Sequence, residues 1–236
     1  MIDFEKLIEH RIEELSQVLE HLTAKEVLRI GDVVVTSTVV NTWIVMGVLF
    51  AGVFLMTRRL GERPKGAQGF LEMIVDFVYG LIDASIGKEG RVYLPIAGTM
   101  FLFILALNLS WFIPSLVPPT TDLSTTAAFG VTTIILVQLA AIRKKGIRGY
   151  IKRFAEPIAI MFPMNVIEEL VKPFSLSVRL FGNLFGEKTV VTILFILVPV
   201  LLPVPVMMLG VLMGGIQAFV FTLLTVVYLA MATKGH

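Results

Sequence analysis

The sequence predicts an all-α polytopic membrane protein, with about five membrane-crossing helices and one helix lying at the interface. Three observations point there. Of 236 residues, 56% are hydrophobic and only 16% charged, where a water-soluble domain carries roughly a quarter. The mean hydropathy is +0.86. The 38 charges (20 basic, 18 acidic) are gathered in clusters at 1–32, 58–91, 143–156 and 168–188, with Asp122 and Lys234 isolated. The uncharged stretches between them are 33–57, 92–121, 123–142 and 189–233. About 20 apolar residues cross a bilayer core.

Residues 1–30 set Phe4, Leu7, Ile8, Ile12, Leu15, Leu19 and Leu22 at helical spacing among charges, which predicts an amphipathic helix outside the bilayer, within an extracytoplasmic segment 1–32. This stretch is acidic and lacks the basic start and apolar core of a signal peptide. The transmembrane domain then runs over 33–236. Its first span, 33–57, stops at Arg58-Arg59, with Arg63 and Lys65 just beyond. Basic loops stay cytoplasmic, so the N-terminus is expected outside. Residues 70–87 carry Glu72, Asp76 and Asp83 on an apolar helix, too polar to span and suited to the interface.

The second span, 92–113, leads into SLVPPTTD, an outer loop with prolines and no basic residue. The third, 123–142, runs into RKKGIRGYIKR, the strongest inside marker of the chain. From Pro163 onward charges are embedded in apolar sequence, and 45 uncharged residues follow. A single helix of that length would extend about 67 Å, far beyond a bilayer. Pro199, Pro203 and Pro205 break it. The result is a hairpin of two long helices, 164–197 and 206–232, with the C-terminus inside.

The charges of the hairpin lie in EELVKPFSLSVRLFGNLFGEK (168–188). At 100° per residue, Glu168, Lys172, Ser175, Arg179, Gly182, Asn183 and Gly186 share one broad face, with Glu169 and Glu187 at its edge. Lys188 points away, as a snorkelling or packing residue would. Glu169 stands about 15 Å below Arg179 and Glu187 about 12 Å above it. An arginine near the midplane thus has an acid toward each surface, and an ionisable residue at that depth is a functional candidate by default. Snorkelling at the interface is the plainer reading for Glu168, Glu169 and Lys172. The last helix offers a stripe of Gly210, Gly214, Gln217, Phe221, Thr225 and Tyr228. Its glycines allow close helix approach, and Gln217 needs a polar partner.

Several classes are excluded or weakened. There is no cysteine, and the three histidines, His10, His21 and His236, sit at the chain ends. No thiolate site, histidine cluster, metal or cofactor is therefore expected. No nucleotide-binding loop or nucleophile elbow occurs. The net charge of +2 reflects topology rather than nucleic acid. A secondary transporter built on the same charged hairpin is the alternative function, disfavoured by the lack of an internal repeat. A passive membrane anchor would leave Arg179 without purpose.

The segments KPFSLSVRLFGN, PVPVMMLG and GIQAF, within a run ending VVYLAMA, closely resemble subunit a of the F-type ATP synthase membrane sector. The resemblance extends from about Phe70 onward and is strongest over 163–232. It implies a proton-conducting stator subunit that binds no nucleotide itself. Its tilted hairpin would face a ring of c subunits, with peripheral-stalk b subunits and the remainder of the synthase as further partners. It places the chain in a bacterial inner membrane, with the plastid thylakoid as alternative.

By this analogy Arg179 is the family's essential arginine, coupling ion flow to ring rotation between two half-channels. Asn183 and Gln217 match polar residues lining the ion path. One of Glu168 or Glu169 matches the acid on the cytoplasmic side, and facing favours Glu168. Ser175, Gly182, Gly186, Gly210 and Gly214 would face the ring or pack the hairpin. Many members carry an acid nine residues after the arginine; here Lys188 stands there, and Glu187 one residue earlier is expected to serve the outer half-channel. Gly210 takes a position where some members have histidine or an acid. Asn108 and Asp122 are further candidates for proton access at the outer side.

Overall fold

The computed structural model describes residues 26–30, 33–58, 66–112, 118–154, 160, 162–197 and 203–233. The amphipathic stretch predicted at the N-terminus lies outside them except for its end, where the prediction is corrected. Glu26–Ile30 forms strand β1, paired antiparallel with β2, Val33–Thr36. Residues 33–36 read VVVT, and β-branched side chains restrict χ1 and favour extended backbone. The first span accordingly begins at Ser37, four residues later than expected.

Six α-helices follow among the described residues: α1 Ser37–Thr57, α2 Ala67–Ser85, α3 Leu94–Leu109, α4 Leu123–Phe154, α5 Phe162–Leu197 and α6 Pro203–Thr233. Among the described residues four helical segments are long and apolar enough to cross a membrane: Ser37–Thr57, Lys88–Leu109, Leu123–Tyr150 and Pro203–Thr233. The chain is thus an all-α polytopic membrane protein. Helix α5 is 36 residues long and carries Glu168, Glu169, Lys172, Arg179, Glu187 and Lys188 among its apolar residues.

Local sequence explains where the helices stop. Gly66 (φ 60°) and Gly87 (φ 96°) bracket α2 with backbone conformations that other residues rarely adopt. Pro95 sits in the first turn of α3, and Pro203 and Pro205 open α6, where a missing N–H costs nothing. Gly146 (φ 72°, ψ 164°) breaks α4, so its membrane part is set off from the basic RGYIKRF end. Asp122 caps α4: its Oδ1 accepts from the Ser124 N–H at 2.9 Å, and its Oδ2 accepts from the Thr38 hydroxyl at 2.9 Å. That second bond ties α1 to the end of the turn Pro119–Thr121.

Helix α6 is the centre of the bundle. Its Ala218, Phe221 and Val226 are buried against Ala97, Met100, Phe101 and Ile104 of α3, and against Leu176, Leu180 and Leu184 of α5. Ile74, Val78 and Ile82, one per turn on α2, close the same core. Toward its end α6 packs Leu229 and Ala232 on Val137, Ala140 and Ala141 of α4. Helix α1 buries only Thr38 and Val45 and presents Trp43, Val48, Phe50, Phe54 and Leu55 outward, as a lipid-facing span would. Arg91 clamps Asp83 through two bonds, of 3.0 and 2.5 Å, joining α2 to the turn before α3. The guanidinium there holds the Asp83 carboxyl below its ordinary range.

Candidate functional site

Helix α5 has one covered and one open side. Leu176, Ser177, Leu180, Leu184, Lys188 and Val191 are buried. Glu168, Arg179, Gly182 and Asn183 are exposed, with Ser175 and Gly186 half-buried beside them. The small and polar residues of the predicted stripe therefore gather on a side that no described helix covers. Pro173 lies inside α5, removing one backbone bond. The Ser177 hydroxyl donates to the Pro173 carbonyl at 2.7 Å and fixes the next turn. This Ser177 contact sits directly against Gly130 of α4, where any side chain would collide with it.

Arg179 projects from the open side. Among the described residues no carboxylate lies within ion-pair distance of it. One turn onward, the Asn183 amide donates to the Gln217 side-chain oxygen at 2.6 Å, joining α5 to α6. Gln217 is only 3% exposed, and its own amide nitrogen is buried with no partner.

A second polar set lies further along α6 toward its start. The Asn108 amide of α3 donates to the Gly214 carbonyl at 3.1 Å, leaving the Asn108 oxygen buried and unpartnered. One turn away, the Glu187 carboxylate fills the space beside Gly210, where a Cβ would overlap it. A Glu187 oxygen and the Lys188 ammonium are both buried without a partner. Gly210 and Gly214 are thus receptacles for Glu187 and Asn108 inside the bundle, not residues of its open side. Lys188 is 7% exposed; of the two roles expected from its facing, snorkelling or packing, this fits packing.

At the other end of α5, Lys172 departs from the helical-wheel expectation. It is 7% exposed, and its ammonium donates to Glu169 at 2.9 Å and lies 3.3 Å from Glu168 and 5.4 Å from the Tyr228 ring centre. Its long side chain reaches inward to groups that its Cα does not face. Glu169 turns inward: its second oxygen accepts from Gln138 of α4 at 2.7 Å. Glu168 stays 56% exposed on the side chain. The two adjacent acids thus have different surroundings.

Gln138 was not singled out by sequence, although it is the sole amide in the uncharged run 123–142. The argument applied to Gln217 would have found it. Asp122, expected as a proton-access candidate, is instead engaged as a helix cap and a tie to Thr38. Among the described residues no group of acids and histidines could hold a metal ion.

This arrangement, a lone cation on an open helix face between two buried polar sets, occurs on a recognisable sequence. Residues 39–230 match the family model of the ATP synthase A chain. The chain belongs to this family. It is similar to ATP synthase subunit a of Moorella thermoacetica, 63% identical over 218 residues, covering 92% of this chain and 100% of that protein. It is also similar to ATP synthase subunit a 2 of Bradyrhizobium sp., 38% identical over 211 residues (89% of this chain, 95% of the other). A third relative is ATP synthase subunit a 2 of Picosynechococcus sp., 42% identical over 202 residues (85% and 87%). Membership of the A chain family and the apolar helices together make this a multi-pass membrane subunit with a part in ATP synthesis and ion transport.

Proposed function

We propose that this chain is the proton-conducting stator subunit of a rotary F-type ATP synthase, and that Arg179 couples proton flow to rotation of a c-subunit ring. The single observation that carries this reading is the position of Arg179: on the uncovered side of α5, without an acid partner, between two sets of buried polar groups. The transmembrane domain would comprise the four apolar spans and α5, with α2 at the cytoplasmic interface and the N-terminus outside a bacterial inner membrane. The basic ends of α1 and α4 support that orientation. Peripheral-stalk b subunits complete the stator.

The electrostatics follow from a fixed charge. A guanidinium is always protonated. At about 4 Å and an effective dielectric of about 20, it attracts an ionised ring carboxylate by roughly 4 kcal/mol and offers nothing comparable to a neutral one. A ring carboxylate must therefore release its proton to pass Arg179, and a free proton is repelled from the same place. The outer path runs past Asn183 and past Glu187, Asn108 and Gln217, whose unpartnered polar atoms are suited to water. On the cytoplasmic side Glu168 is the acid facing the ring. Glu169 is held by Lys172 and Gln138 and acts as its support.

The chain has no cysteine, which makes single-cysteine mapping direct. Cysteine at Ser175, Gly182 or Gly186 is expected to form disulfides with cysteines on the outer helix of the c subunit, in membranes. Cysteine at Gly214 should not. Failure of all three open-side positions to link to c would remove the ring from that face.

A further inference from the structure

The basic end of α4 is a separate segment held in place. Gly146, at φ 72° and ψ 164°, breaks the helix just after Arg143, Lys144 and Lys145. The helical piece that follows is tied to the start of α5, where the Asn165 amide donates to the Phe154 carbonyl at 2.9 Å. Phe154 also meets the rings of Tyr150 and Phe162 edge-on, at centre distances of 5.2 and 6.3 Å. A basic stretch that served only to orient the span would need its charges, but neither the break nor these ties. We propose that this segment is a docking surface for an anionic phospholipid, with the phosphate on its basic side chains and the acyl chains on the apolar residues beside them. The surface requires only that α4 ends at a membrane interface, whatever the role of Arg179.

Charge and apolar area meet at this place. From 143 to 162 the sequence holds six basic residues, Arg143, Lys144, Lys145, Arg148, Lys152 and Arg153, against one acid, Glu156. Arg143 and Lys144 before the break and Arg148 after it are exposed. Ile147, between them, is 66% exposed, and Ile160, Phe162 and Met164 at the start of α5 are open as well. Basic clusters beside a span collect anionic lipids, and exposed apolar side chains at the same level are matched by acyl chains in the interface. A guanidinium fork takes two phosphate oxygens at once. A zwitterionic lipid offers the same phosphate but brings its own cation, which these side chains repel. A free phosphate would satisfy the charges and leave the apolar residues open.

The test uses the membrane complex containing the full chain, in phosphatidylcholine nanodiscs doped with phosphatidylglycerol that carries a photoreactive diazirine on its acyl chain. The same diazirine on phosphatidylcholine serves as control. Peptides holding Ile147, Phe162 and Met164 should take up at least about fivefold more of the anionic probe than of the control, the scale of one charge at a lipid surface. Phe50 and Phe54 on α1 should be labelled equally by both. Arg148→Gln leaves five of the six basic residues to hold the orientation of the span. It should lower labelling by the anionic probe roughly fivefold and leave the control unchanged. Excess unlabelled phosphatidylglycerol should compete, and millimolar inorganic phosphate should not. Equal labelling by the two probes, or anionic labelling untouched by Arg148→Gln even with Lys144→Gln added, would overturn the proposal. So would competition by inorganic phosphate, which would mean an anion site with no need of a lipid. Absence of label from both probes would mean that another protein covers this surface, and would overturn it too.

Discussion

The carboxylate of Glu187 occupies the space in which a side chain on residue 210 would begin, so the glycine there is the condition for the acid's position. An acid and a glycine on facing helices act as one unit, and a substitution at Gly210 is a substitution of Glu187's environment. Gly210→Ala forces the carboxylate aside, since a Cβ would overlap it and the flexible acid side chain is the part that gives way.

Gly210→Ala is therefore expected to lower ATP-driven proton pumping several-fold in assembled complexes. In a background of Glu187→Ala the same change should cost little more, because nothing remains to displace. Additive losses in the double variant, measured by acidification of inverted vesicles, would separate the two residues.

The neighbouring acids Glu168 and Glu169 should respond differently to the same chemistry. Glu168→Gln leaves packing intact and is expected to slow pumping without loss of assembled complex. Glu169→Gln removes the nearer and more buried of the two carboxylates on Lys172 and leaves its ammonium with the exposed Glu168 alone. It should reduce the amount of assembled complex. The combined change Glu169→Leu with Lys172→Met should restore part of that loss. Immunoblots of membranes beside pumping assays distinguish the two effects.

Much of this was legible in the sequence. Spans and breaks could be read because the bilayer demands uninterrupted apolar helices, and prolines at 203 and 205 and basic residues after 142 mark their ends. The open stripe of α5 from Ser175 to Gly186 obeyed the helical period. Lys172 did not, because its side chain is long enough to turn inward from that face. Glycines at 210 and 214 read as a helix contact, while the side chains they receive, from Glu187 and Asn108, are set by tertiary packing. The strand pair before α1 was hidden because a Val-rich run is equally apolar in a strand and at the start of a span.

Asp122 yields a prediction of the opposite kind. It caps α4 and accepts from Thr38, so Asp122→Ala should destabilise the end of the bundle where α1 meets α4 by about 0.5–2 kcal/mol, the range for a lost N-cap. ATP-driven pumping per assembled complex should be unchanged. A specific loss of pumping at full assembly would return Asp122 to the proton path.

The most direct measurement concerns Arg179. Inverted vesicles carrying Arg179→Ala are assayed for ATP-driven acidification and for passive proton leak, with assembly checked on the same membranes. The account predicts that pumping is abolished while assembly is retained, and that leak rises because the fixed charge between the two polar sets is gone. Pumping at the wild-type rate would contradict it.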